Sequence, residues 1–156
     1  MKELKKTNFE SVVNSLSDER YNVGVWIEDC LGDFEKFVRS LPPQSVEKIS
    51  TYNIVTILLS EISNNSKMSL GVFGLKDFNK WAGKQIAEKN NKKIVIYTEF
   101  DALLATWSKI DAINFFSTSR TYYYNRPLVL ISKVKNIILS SDFPESRIWS
   151  IQSRES

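Results

Sequence analysis

Three carboxylates stand just beyond apolar runs of this sequence: Asp77 after residues 68–73, and Glu99 and Asp101 after residues 94–97. In an open parallel sheet, ligands bind beyond the carboxyl ends of the strands, so the residues at those tips are where chemistry is expected. Ser132 and Lys133, which follow the apolar residues 127–131, would share that edge if the strands are neighbours. Carboxylates gathered there suit a hard cation, because magnesium takes oxygen ligands and often needs only one or two from the protein. The remaining repertoire is narrow. The 156 residues include no histidine, which removes histidine general bases, serine–histidine and cysteine–histidine pairs, and histidine metal or haem ligands. A single cysteine, Cys30, excludes intramolecular disulfides and every multi-cysteine zinc or iron–sulfur site. An enzyme built from this chain would have to use acid pairs, lysine, tyrosine or a bound metal.

A second cluster is basic and aromatic. Between Asp111 and Asp142 there is no acidic residue, and Arg120, Arg126, Lys133 and Lys135 are interleaved with Phe115, Phe116, Tyr122, Tyr123 and Tyr124. Positive charge attracts phosphates and aromatic faces stack on bases, so this region suits nucleic acid. Tyr and Arg are also enriched where protein interfaces concentrate their binding energy, and three consecutive tyrosines cannot all enter one core. Protein contact is the leading expectation for it.

The stretch Ile94-Val95-Ile96-Tyr97-Thr98-Glu99-Phe100-Asp101-Ala102-Leu103 resembles the Walker B region of P-loop NTPases. There an apolar strand ends in acids that hold magnesium or polarise water, and Leu130-Ile131-Ser132 looks like the next strand of that fold. The resemblance spans about ten residues and implies nucleotide chemistry. However, no Gly-x-x-x-x-Gly-Lys-Ser/Thr occurs, and the nearest string, Ala82-Gly83-Lys84-Gln85, lacks the metal-binding hydroxyl. Restriction-type nucleases place a lysine two residues beyond such a glutamate, after a single spacer; here Glu99-Phe100-Asp101 puts an aspartate there.

The elements that must position these residues follow from periodicity. Phe9, Val12, Val13 and Leu16 form one helical face. Val23, Trp26, Ile27, Cys30, Leu31, Phe34, Val38 and Leu41 continue that period as a second helix, which Pro42-Pro43 must end. Ser45 is the expected N-cap of a third, running to Ile62, with a strand over residues 54–59 as its alternative. Beyond residue 66 the pattern alternates. Apolar runs at 68–73, 94–97 and 127–131 read as buried strands, and 147–151 as an edge strand carrying Trp149. An open edge of that kind can accept a strand from another chain, so Trp149 is a candidate contact. Helices are expected from Asp77 to Ile86, from Ala102 to Phe116 and over 136–139. Trp26, Trp81 and Trp107 are assigned to the core, as is Cys30.

Residues 1–66 carry seven Lys or Arg against ten Asp or Glu, whereas residues 67–156 carry fourteen against eight. The expected architecture is one α/β domain over 1–156. Its mostly parallel sheet has about four strands flanked by helices, with a helical N-terminal region over 1–66 and an alternating part over 67–156. No apolar stretch approaches the roughly 20 residues needed to cross a bilayer, and none follows the basic start, so a cytosolic chain without membrane contact is expected. The function expected is that of a non-enzymatic binding protein without cofactor or resident metal: a subunit or adaptor that self-associates or joins a protein partner and touches nucleic acid within a larger assembly. The alternatives are a degenerate P-loop-like or magnesium-dependent enzyme using Asp77, Glu99 and Asp101, and a nucleic-acid-binding module using residues 120–135.

Overall fold

In the computed structural model, residues 2–64, 75–88 and 94–151 are described. Strands β1 (Lys2–Leu4), β2 (Val23–Ile27), β3 (Ile49–Asn53), β4 (Ile94–Thr98), β5 (Leu128–Ser132) and β6 (Ile148–Ile151) form one sheet in the order β1-β6-β2-β5-β4-β3. Every pair is parallel; β2 and β5 run in register from Val23 opposite Leu128 to Ile27 opposite Ser132.

The connections explain the two layers. Those that move towards β3 carry α1 (Phe9–Asp18), α2 (Asp33–Arg39) and the short α3 (Pro43–Val46) on one face of the sheet. Those that return towards β6 carry α4 (Ile54–Asn64), α5 (Leu75–Glu88), α6 (Phe100–Leu104), α7 (Lys109–Ser119) and α8 (Lys135–Ser140) on the other. A change of direction with a change of face is what right-handed crossovers require. Strand alternation then splits each strand between two cores: Val25, Val95, Tyr97 and Leu130 pack with Phe78, Phe100, Phe115 and Phe116, while Trp26, Ile96 and Val129 pack with Phe9, Phe34 and Phe37.

The α/β class stands, with six strands rather than about four. The N-terminal region is not helical throughout, since it contributes β1, β2 and β3. Val23-Gly24-Val25-Trp26-Ile27 is an unbroken apolar run buried at every position, the signature of a strand covered on both faces. An unbroken run satisfies helical spacing as readily as strand spacing, so only α2 survives of the expected second helix. The third divides similarly into α3, β3 and α4. Asn53 settles residues 54–59 as helix, because its Oδ1 accepts hydrogen bonds from the amides of Val55 (2.9 Å) and Thr56 (3.2 Å) and so caps α4. Ser45 caps nothing; it lies inside α3 and donates its hydroxyl to Glu10 at 3.2 Å.

The expected helix over 102–116 is broken between α6 and α7, where Ser108 caps α7 through the Asp111 amide at 3.1 Å. Residues 68–73 lie outside the described residues. Trp26 and Trp81 are in the core and Trp107 packs against it, although Trp26 stands on a strand. Cys30 is exposed in the loop after β2, not in the core. Nor is β6 an edge: β1 pairs with it from Lys2 opposite Trp149 to Leu4 opposite Ile151, so Trp149 has no open edge to offer. Three residues too short to show a period supply that cover. Among the described residues, no helix is long and apolar enough to cross a membrane.

Candidate functional site

The chain leaves β2 towards β3 and leaves β5 towards β6, although β2 and β5 are neighbours. Their carboxyl ends therefore flank the switch point at which an open parallel sheet forms its crevice. Glu28 follows β2 and continues the pairing, its amide donating to the Ser132 carbonyl at 3.0 Å. The loop then turns through Gly32, whose φ of +91° suits a residue without a side chain, and enters α2. Glu28 and Asp33 are both buried there. Each carboxylate accepts from the backbone of the loop and helix start: Glu28 Oε2 from the Phe34 amide at 3.1 Å, Asp33 Oδ2 from the Cys30 amide at 2.8 Å.

On the other side, Asp101 joins the start of α6 to the end of β5. Its Oδ1 accepts the Ser132 hydroxyl at 2.6 Å and its Oδ2 the Lys133 amide at 2.8 Å. Ser132 Oγ in turn accepts the Val134 amide at 3.1 Å. Glu99 precedes α6 with a left-handed φ of 60° and is exposed. Between these loops lies an open cleft of about 210 Å³, lined by Leu31, Phe34 and Ile131 and by the acidic residues Glu28, Glu35 and Glu99. Burial pushes the Glu28 carboxyl above its ordinary value. The Phe34 amide opposes that shift, Asp33 and Asp101 add to it, and Lys133 draws it back.

The carboxyl ends of β4 and β5 thus bring Glu99, Asp101, Ser132 and Lys133 to one edge, as expected. Asp77, the expected start of the helix over 77–86, lies within α5, which starts at Leu75, and its side chain is not among those described. No group of three ligating side chains suited to a metal occurs among the described residues, and Asp101 already spends both oxygens on β5.

The basic stretch does not form one surface. Arg120, Tyr122, Tyr123, Tyr124 and Arg126 lie at the amino end of β5, Lys133 and Lys135 beyond its carboxyl end, and the five residues between span roughly 16 Å. Tyr124 is buried and donates its hydroxyl to Asn79 at 2.9 Å; Tyr122 packs on it with ring centroids 4.6 Å apart. Of the three tyrosines, Tyr123 is exposed. Arg120 pairs with Asp142 at 3.4 Å, so its charge is partly offset.

Glu28 and Asp33 were hidden from sequence reading by the expected helix over 23–41; a strand there would have exposed them as tip residues. Asn22 and Arg147 were missed too. Asn22 clamps the Tyr124 backbone, donating Nδ2 to its carbonyl at 2.8 Å and accepting its amide at 2.9 Å.

Fold and site together define an open, all-parallel α/β protein with an acidic crevice at its switch point. Compared with protein-family models, curated proteins and solved structures, the chain matches none.

Proposed function

We propose that this chain is a non-enzymatic binding protein, a cytosolic subunit or adaptor that receives a protein partner in the crevice between β2 and β5. One observation carries the reading. The strand–loop–helix unit at residues 23–39 stands at the crevice where a phosphate loop would serve a nucleotide, yet its amides at Cys30 and Phe34 are already taken by Asp33 and Glu28. A phosphate loop presents free amides and a lysine to an anion. Here those donors face the chain's own carboxylates, and added negative charge would meet repulsion. The acid-tipped β4 beside it supports a distant relation to phosphate-binding architectures, kept for recognition rather than catalysis. Buried tyrosines supply no proton carrier either, since burial raises Tyr97 and Tyr124 well above their ordinary range.

The test is the response of the purified protein to magnesium-ATP. The melting temperature is expected to stay unchanged and no phosphate to be released. Saturable stabilisation or turnover that disappears in Asp101→Ala would overturn the reading.

A further inference from the structure

Glu28 lines the crevice at 8 % exposure with half of its carboxylate unspent: Oε2 accepts the Phe34 amide, while Oε1 accepts no hydrogen bond among the described residues. The free Oε1 meets solvent only through the open cleft, and a carboxylate so largely covered gains from a paired cation. Lys133 attracts it but does not line the cleft, whose walls hold no Lys or Arg. Exposed Glu35 and Glu99 add the same sign at the rim. The crevice is therefore complementary to a cation with apolar flanks.

Resting on the binding-protein reading above, we propose that this crevice receives an arginine side chain of a protein partner, its guanidinium pairing with Glu28 and guided in by Glu35 and Glu99. Arginine fits better than lysine. Its planar fork meets a carboxylate through two hydrogen bonds, and its weaker hydration lowers the cost of entering beside Phe34 and Ile131. A polypeptide fits better than a free small cation. Leu31 stands 68 % exposed at the mouth, and a second hollow that shares Phe34 and Glu35 with the crevice runs along α2 past Val38 and Arg39 to Thr51, a surface only a longer chain would cover and one whose Arg39 confines the demand for a cation to the crevice itself.

The probes are acetyl-Leu-Arg-Leu-amide, the same peptide with neutral citrulline in place of arginine, and acetyl-arginine-amide, each titrated into the isotopically labelled protein. The arginine peptide is expected to shift the amides of residues 30–34 and 98–99. The citrulline peptide and the E28Q variant should each bind at least about tenfold more weakly, and E35Q should mainly slow association. The amide oxygen that E28Q introduces can still accept the Phe34 amide, and unchanged spectra elsewhere would establish that the variant folds. Equal binding of arginine and citrulline peptides, or undiminished binding by E28Q, overturns the proposal; acetyl-arginine-amide binding as tightly as the peptide overturns its polypeptide source. If no peptide binds and magnesium-ATP is also silent, this assignment fails while the adaptor reading stands. If magnesium-ATP shifts these amides, both fail.

Discussion

Glu28 keeps an ionisable group largely buried at a cost in stability. Its carboxyl is raised by burial, with Asp33 and Asp101 adding to that effect, while the Phe34 amide and Lys133 oppose it. The folded chain then holds this proton more tightly than the unfolded chain does. The group's contribution to stability is complete below about pH 4.5, its ordinary value, and is lost as pH rises through the folded value. A glutamine side chain at this position never ionises. E28Q is therefore expected to melt above the parent at pH 7, with the difference closing on acidification below pH 4.5; thermal melts across pH 4–7 check it, and a variant less stable at pH 7 would refute it. Arg147 shows the opposite balance. Buried at the amino ends of the strands, it donates Nη1 to the carbonyls of Tyr21 (3.0 Å) and Val23 (3.1 Å) and Nη2 to that of Arg120, and its guanidinium lies 5.0 Å from the Phe143 ring centroid. Burial lowers its pKa, the Glu19 charge raises it, and the charge is kept because three carbonyls satisfy the fork. Arg147→Met should cost at least about 3 kcal/mol in urea denaturation, since charged hydrogen bonds each contribute roughly 1.5–3 kcal/mol and three are lost, offset in part by no longer burying a charge. Lysine should recover less than half of that, because a point charge cannot reproduce the planar fork.

At the scale of elements, the acid at the tip of β4 acts as a fastener. Asp101 holds the end of β5 through a side chain and a backbone amide, so Asp101→Ala should lower stability by about 2 kcal/mol, within the roughly 1.5–3 kcal/mol of a hydrogen bond to a charged group, the exposed bond to the Lys133 amide adding little. The loss should be equal with and without magnesium, as measured by urea midpoints in both buffers; a loss seen only with the metal would restore the cation reading. Why some elements could be read and others not follows from burial. Strands β4 and β5 are short β-branched runs between polar flanks, so they were legible, as was α1 with its single apolar stripe. Strand β2 was not, because full burial on both faces erases the alternation that separates strand from helix. With β2 misread, the Glu28–Asp33 half of the crevice vanished, and only the Asp101–Ser132 half could be placed. Gly32 was the available clue, since a glycine before an Asp-Phe-Glu helix start marks the loop.

For the whole molecule, strand order was illegible in the sequence because it is set by contacts distant along the chain: β2 meets β5 and β6, and the three residues of β1 find β6. That order decides which surfaces are left for partners. The charge that looked like one basic region is split between the two ends of β5, and the acidic crevice sits at only one of them. The edges are β1 and β3, and β3 pairs on one side alone, with Thr51 and Asn53 exposed. Strands paired on both sides and covered on both faces open only when the molecule unfolds, whereas singly paired edges open locally. Native-state hydrogen exchange should therefore place the amides of β2 and β5 at the protection of global unfolding and those of β3 at least about tenfold lower. The experiment also reads occupancy. Protection of β3 equal to that of β5 in the isolated protein would mean that a second copy adds a strand there, since pairing is what the free edge lacks. Its disappearance on dilution would separate self-association from an edge that is intrinsically stable.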